Sequence, residues 1–437
     1  MDFAMDARSA ALRDEVRAFV RDEVLPAEPE LDAQLAATPD VWTFRPVVDR
    51  LRATARDRGL WNLFLPNGHS LPNAHSLPGD RGAGLTNLQY APLAEESGWS
   101  PRLAPVAMNC AAPDTGNMEL LAEFGTPEQQ AQWLDPLLDA RIRSAFCMTE
   151  PDVASSDATN IGTSIRRDGD DLVITGRKWW STGAMNPDAA LLIVMGKTDP
   201  DAPRHRQQSM VLVPRDTPGV RIVRPLTVFG YDDRDHGGHA EIAFDDVRVP
   251  AANLIGGAGD GFAIAQARLG PGRIHHCMRA IGMAERALAL AAERATVRVA
   301  FGGPLAEQGV VREWIAEARV EIEALRLLVL KTAWLMDTVG NRRAMTEIQA
   351  IKIAVPRAVQ RIVDRAIQVF GAAGLSTDTP LAELYAGARA LRIADGPDEV
   401  HLASLGRAEL RRAADASAGA SGTTRAGSRE PAASAAT

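Results

Sequence analysis

The sequence predicts an α+β chain in three parts: an N-terminal helical domain, a middle antiparallel β domain and a C-terminal four-helix bundle. Three observations predict it. Before residue 145, apolar residues recur at three- and four-residue spacing, as at Leu12, Val16, Phe19, Val20 and Val24. From about residue 146 to 260 the pattern becomes short β-branched runs between turn residues, such as "DDLVITGRKWWST", "ALLIVMGKT" and "AEIAFDDVRVP". From 261 to about 412 long amphipathic stretches return, "VREWIAEARVEIEALRLLVLKTAWLMDTV" among them, and stretches above 20 residues suit a bundle.

The boundaries this implies are 1–145, 146–260 and 261–412. Beyond Arg412 the chain is Ala/Ser/Gly-rich and nearly lacks large apolar residues, so 413–437 is expected to be a disordered tail. Within the first domain, "GTPEQQAQWLDPLLDA" offers Thr126 as an N-cap and Pro127 as the first helical residue. "NGHSLPNAHSLPGDRGAG", with HSLP twice, is expected to be a loop. Pro356 is expected to kink or break the last long helix.

The 437 residues can bury a sizeable core, and 46% hydrophobic with 24% charged residues is the balance of a globular protein. A net charge of -8 argues against nucleic-acid binding. Cys110, Cys147 and Cys277 are far apart and form no CxxC pair, which points to a reducing compartment. The first 20 residues carry acids where a secretory leader needs positive charge, and no apolar run is long enough to span a bilayer. A soluble, cytoplasmic protein is expected.

Four stretches hold candidate chemistry. "RIADGPDEVHLAS" places Asp395, Asp398 and Glu399 around Gly396 and Pro397. Pro397 suits the first helical position and Gly396 the N-cap. Asp398 and Glu399 then offset the helix dipole, an effect of about 0.3–1 kcal/mol each. Asp395 lies before the cap, beside Ile393 and Ala394. A carboxylate against apolar packing has a raised pKa and becomes a candidate base. In "AFCMTEPDVASSDATNI", Thr149, Ser155 and Ser156 suit hydrogen bonds to a cofactor or phosphate, and equally suit Asx and Ser turns. In "GRKWWSTGA", a strand would send Trp179 and Trp180 to opposite faces, one into the core and one toward a flat heterocycle, with Ser181 and Thr182 beside it. Core packing is the commoner fate of such a pair. In "RLGPGRIHHCMR", Arg273 follows a Gly-Pro-Gly turn, opens a helix and suits a phosphate or carboxylate. His275, His276 and Cys277 diverge by about 100° per residue on a helix, so packing is expected of them rather than metal binding. The chain has no GxGxxG after a strand, no P-loop and no GxSxG elbow.

These stretches, in this order, resemble the acyl-CoA dehydrogenase family from about residue 6 to 412. "TEPDVASSD" is similar to its flavin loop and "GRKWWST" to its Gly-x-Lys-x-Trp-x-Thr strand. "RVAFGGPLAEQ" and "QVFGAAG" are similar to its Arg-x-x-Phe-Gly and Gln-x-Phe-Gly-Gly segments. "DGPDEVH", "RLGPGRIHHCMR" and "NCAAPDTGNME" resemble one branch, which in animals is fused to a phosphotransferase-like domain and acts on long or branched acyl-CoAs. The resemblance implies noncovalent FAD and an acyl-CoA substrate. It implies α-proton abstraction by a carboxylate, with the β-hydrogen leaving as hydride to flavin N5. The product would be a trans-2-enoyl-CoA, and electron-transferring flavoprotein would reoxidise the flavin.

By motif position, Asp395 matches the family's base, and Gly396 would lie near the substrate. Pro397, Asp398 and Glu399 would lie near the flavin, as would Phe146, Met148, Thr149, Ser155, Ser156, Trp180, Ser181 and Thr182. Ser156 and Arg273 match positions near the CoA moiety. Arg298, Phe301 and the run Gln368, Gly371 and Ala372 match segments reaching the FAD of a neighbouring subunit, which implies a homodimer or homotetramer. The family's usual base is Glu, one methylene longer than Asp. A second lineage places its base where this chain has Gly272, so no rival carboxylate is offered there. Two other functions compete: a nitroalkane-oxidase-like flavoenzyme, which also uses an Asp base, and a flavin-binding or DNA-protective scaffold without dehydrogenation.

Overall fold

The computed structural model describes residues 3–66 and 82–423, with side chains to residue 417. The doubled HSLP stretch lies outside the described residues. Helix α1 (Ala7–Phe19) passes through a π-turn at Val20–Val24 into α2 (Leu25–Ala37). Its predicted apolar face is the buried one: Val16, Phe19, Val20 and Val24 are inaccessible, with Leu12 packed at the margin. Then follow α3 (Pro46–Asp57), α4 (Asn87–Ser97), α5 (Ala104–Ala107), α6 (Asp114–Phe124), α7 (Pro127–Gln129) and α8 (Asp135–Leu138). Thr126 caps α7 in a reciprocal capping box with Gln129, and Pro127 takes the first turn.

The middle domain is one eight-stranded sheet. Its strands are β1 (Arg143–Cys147), β2 (Ser164–Asp168), β3 (Asp171–Thr182), β4 (Ala189–Lys197), β5 (Gln208–Pro214), β6 (Val220–Leu226), β7 (His239–Pro250) and β8 (Leu254–Ile255), in the order β6-β7-β3-β2-β4-β5-β8 with β1 beside β4. The sheet is antiparallel except where β1 and β2 each run parallel to β4. A long connection containing a hairpin separates β1 from β4, and only a tight turn forces neighbours to run opposite ways. Strand β4 is buried on both faces. Leu191, Ile193 and Met195 join the helical core, while Leu192 and Val194 join a second core on the other side of the sheet.

The C-terminal bundle comprises α9 (Gly261–Val297), a ribbon of β9 (Val299–Ala300) with β10 (Gly303–Pro304), α10 (Gly309–Val339), α11 (Met345–Phe370), α12 (Ala372–Leu375), α13 (Leu381–Ala390) and α14 (Asp398–Thr423). Helix α9 crosses α4 where Gly98 meets Gly282. A Cβ on either would lie 2.0 Å from a main-chain oxygen of the other helix.

Three expectations change here. Helix α9 runs straight through Pro271, so Arg273 sits inside a helix rather than opening one. Helix α11 likewise continues through Pro356, so the break offered there as one of two outcomes does not occur. A proline removes one hydrogen bond, and burial of Leu269 and Ile274, or of Val355 and Val359, outweighs that loss. Helix α14 begins at Asp398 and continues to Thr423, past residue 412 where the tail was expected to start. Alanine-rich sequence propagates an existing helix even with Ser and Gly in it.

Candidate active site

The turn between α13 and α14 carries Asp395. Its φ is +56° and that of Gly396 is +106°. Asp tolerates the left-handed region better than most residues with a side chain. Gly396 is required, because a Cβ there would lie 2.9 Å from His401 Nε2. Basic side chains anchor the turn. Arg273 Nε donates to the Asp395 carbonyl at 3.0 Å. Lys352 Nζ donates to the Leu391 carbonyl and, at 3.5 Å, to that of Gly396. Arg357 and Arg392 both donate to Asp398 Oδ2, at 2.8 and 2.9 Å. Asp398 is buried and clamped by these arginines, which hold its carboxyl below the usual range against the upward push of burial. The sequence offered it a dipole role and, by resemblance, a place near the flavin, but not this clamp. Glu399 is exposed and Pro397 half-buried.

The Asp395 side chain is 17% exposed, and its Oδ2 lies 3.6 Å from His276 Nε2. Arg279 donates to His276 Nδ1 at 3.3 Å, so the ring proton sits on Nε2, facing Asp395. Burial drives Asp395 toward the neutral acid. The facing His276 N–H and the charges of Arg268, Arg273 and Lys352 outweigh burial and hold the group below the ordinary aspartate range. The raised pKa expected from apolar packing is therefore corrected: the surroundings are cationic. Burial, together with Arg279, pushes His276 well below its usual value and leaves the ring neutral near pH 7. Gly272 approaches the same carboxylate. A Cβ built there would sit 3.5 Å from Asp395 Oδ2, and no acid competes from that position.

Arg268 joins this turn to the sheet. It is buried, donates from Nε to Asn117 Oδ1 at 3.1 Å, and lies 4.1 Å over the Phe146 ring. Arg268, Lys352 and the nearby Glu119 were not picked out from sequence, and His276, expected only to pack, instead faces the Asp395 carboxylate. A signal existed for two of them: positions 268, 272, 276 and 279 fall on one face of a helix. Placing a turn at Gly-Pro-Gly hid that face. Glu119 is fully buried with one oxygen unpartnered, and burial raises it to about 8. His275, by contrast, packs edge-on against Tyr90 and Phe64, as expected. Burial raises all three thiols, Cys147 to about 11 and Cys277 to about 12.

The two flavin-like motifs meet. Trp179 N donates to the Thr149 carbonyl at 2.9 Å, and Lys178 Nζ donates to the Met148 carbonyl at 2.9 Å and to Glu150 at 2.8 Å. Glu150 also accepts from the main-chain N–H of Gly162 and Thr163. Lys178 and Glu150 thus clip the loop to β3. Ser155 Oγ accepts from Glu150 N at 2.9 Å, so it shapes the loop, while Ser156 is exposed. A bulge between Lys178 and Ser181 breaks the strand's alternation. Trp180 takes φ +53° and stands 38% exposed. Trp179 is half-buried, so neither indole is a core residue.

Arg298, Phe301, Gln368, Gly371 and Ala372 are exposed, Phe301 completely. Their two segments adjoin, since Arg294 lies 5.4 Å over the Phe370 ring. They do not join Asp395. From Arg273 to the end of α9 the helix covers on the order of 36 Å.

A helical domain, a sheet and a helical bundle, with a carboxylate turn linked to β1 through Arg268, are the architecture of an acyl-CoA-type dehydrogenase. The family descriptions "Acyl-CoA dehydrogenase, N-terminal domain", "middle domain" and "C-terminal domain" match residues 6–141, 145–247 and 259–410. The chain belongs to the acyl-CoA dehydrogenase family, an oxidoreductase family. It is 59% identical over 413 residues to "Probable acyl-CoA dehydrogenase FadE2" of Mycobacterium tuberculosis, covering 94% of this chain and 98% of that protein. It is 55% identical over 400 residues to "Acyl-CoA dehydrogenase family member 11" of Homo sapiens, covering 91% of this chain but 49% of that protein. The chain thus spans about half the length of the animal relatives it matches. Among solved structures, an acyl-CoA dehydrogenase-type chain from Mycobacterium abscessus is 51% identical, with a TM-score of 0.88 over 94% of this chain and 99% of that one. Butyryl-CoA dehydrogenase from Megasphaera elsdenii is 26% identical, with a TM-score of 0.77 over 94% and 100%. Among the described residues, no helix is long and apolar enough to cross a membrane.

Proposed function

We propose that the chain carries out FAD-dependent α,β-dehydrogenation of an acyl-CoA, with Asp395 as the base that takes the α-proton. The observation that carries this is the Asp395 carboxylate, kept ionised by the cations of Arg268, Arg273 and Lys352 with the His276 N–H facing it, on a turn held by Arg273 and Lys352. An α-proton beside a thioester is weakly acidic, so its base must be ionised and rigidly aimed. The half-exposed Trp180, with the unpartnered buried Trp179 Nε1 and Ser181 Oγ beside it, suits a flat polar heterocycle. Phe146, Met148, Thr149, Ser155, Ser156, Trp180, Ser181 and Thr182 would hold FAD, with Pro397 and Glu399 near it and Gly396 near the substrate. Bound FAD supplies the acceptor for the β-hydride. Arg273 serves the substrate mainly by holding the turn.

The branch resemblance supports a long or branched acyl chain, the family resemblance supports electron-transferring flavoprotein as electron acceptor, and the widely spaced cysteines support a reducing compartment such as the cytoplasm. Anaerobic titration of the protein with a panel of acyl-CoAs, watching the visible flavin band, tests the proposal. Bleaching by a long or branched acyl-CoA is expected. A flavin that binds and never bleaches would sink it in favour of the nitroalkane or scaffold functions.

A further inference from the structure

We propose that His239 is a positioning residue that sets the direction in which the Thr182 hydroxyl donates its hydrogen bond. Thr182 and His239 are direct cross-strand partners in the β3–β7 ladder. Thr182 Oγ1 lies 2.9 Å from His239 Nδ1, and His239 Nε2 lies 2.7 Å from Asp233 Oδ2. A carboxylate has no proton to give, so the ring proton belongs on Nε2. In the neutral ring Nδ1 is then a bare acceptor, and the single Thr182 proton goes to it. The hydroxyl's lone pairs are left for whatever faces Thr182 on its other side. Thr182 becomes an obligatory acceptor toward a ligand.

The surroundings hold this arrangement in place. Asp233 takes φ +50°, and its carbonyl accepts from His236 N and Gly238 N, both at 2.9 Å. That strained turn points its carboxylate at the ring. The nearby cations are otherwise engaged: Arg234 with Asp232, and Arg102 with Asp235. The ring of Trp180 lies 5.5 Å from that of His239, so the imidazole sits beside the exposed indole. His239 is 14% exposed on its side chain, so little of the ring meets water.

The consequence rests on β3 being the flavin strand. Reducing a flavin adds N–H groups, which need acceptors opposite them, whereas oxidised ring nitrogens need donors. A Thr182 locked as acceptor therefore favours the reduced cofactor. Asp233→Asn can donate its amide to Nε2, which moves the ring proton to Nδ1 and turns the Thr182 proton outward.

Two measurements test this. Nitrogen-15 NMR of the flavin-free protein should find His239 as the Nε2–H tautomer, changing to Nδ1–H in Asp233→Asn. Finding Nδ1–H in the unaltered protein overturns the proposal, whether or not FAD ever binds. In the FAD-loaded enzyme, Asp233→Asn should shift the flavin midpoint potential downward, and Asp233→Glu should restore most of it. The shift should vanish when Thr182→Val is also present. An equal shift in the Thr182→Val background would mean that Asp233 acts on the flavin by a route other than Thr182, and would also overturn it; an upward shift in Asp233→Asn would mean that the lost charge dominates, and would overturn it too. A protein that takes up no FAD defeats the proposed function and leaves the tautomer result to decide this one.

Discussion

Asp395→Asn keeps the size of the side chain and removes its basicity. It should leave FAD and acyl-CoA binding intact and slow flavin reduction by roughly 100- to 10,000-fold. Rapid anaerobic mixing reads this directly, and bleaching at the unaltered rate would dismiss Asp395 as the base. Glu119 makes a different prediction. Its ordinary value is 4.5, and burial raises it to about 8 in the fold. Between those values the unfolded chain has released a proton that the folded chain still holds, so stability falls as pH rises through that window. Glu119→Gln should remove this slope and be the more stable form at pH 8 by denaturant titration. A parallel pH dependence in both proteins would show that Glu119 ionises freely. Of these residues Asp395 was legible in sequence, because it precedes a helix cap and gains nothing from the dipole. Its electrostatics were not. The groups that hold it ionised, Arg268, Arg273 and Lys352 with the His276 N–H, arrive from α9 and α11, and only packing brings those helices to the turn.

At the scale of elements, α9 organises the site, presenting Arg268, Gly272, Arg273 and His276 to one neighbour and Gly282 to another. The alternation of β-branched runs and the three- and four-residue apolar spacing made the sheet and the long helices legible. The two prolines misled because local propensity is weak against burial on both sides of the helix. The depth at which α9 sits is set by Gly98 and Gly282. No composition rule separates such contact glycines from loop glycines before the helices are paired. Gly282→Ala would drive a methyl to 2.0 Å from the Glu95 carbonyl, in backbone that cannot give. It should cost about 1–3 kcal/mol or more by chemical denaturation. It should also weaken flavin reduction, since α9 must move as a unit. An unchanged midpoint would mean the crossing is loose.

Over the whole molecule, two sets of flavin-like motif residues stand apart. One set lies on the β1–β3 segment and the Asp395 turn, and the other lies at the far end of α9 and α11. An α-helix rises about 1.5 Å per residue, so the two cannot close on one cofactor within one chain. Exposure supports the same conclusion. Phe301 is fully exposed with φ +55°, and Val297, Val299 and Leu375 are also exposed. A soluble chain seldom leaves such an apolar group open without a use for it. The arrangement makes sense if Arg298, Phe301, Gln368, Gly371 and Ala372 complete the cofactor site of a second copy. Phe301→Asp then gives a clean test, because an exposed side chain is not needed for folding. It should leave the unfolding midpoint within about 0.5 kcal/mol. It should lower FAD affinity about tenfold, the effect of about 1.4 kcal/mol at an interface. Sedimentation should show the unaltered protein as a dimer or larger. If Phe301→Asp binds FAD as tightly as the unaltered chain, or if a monomer retains FAD fully, each chain holds its cofactor alone and the second set has another use.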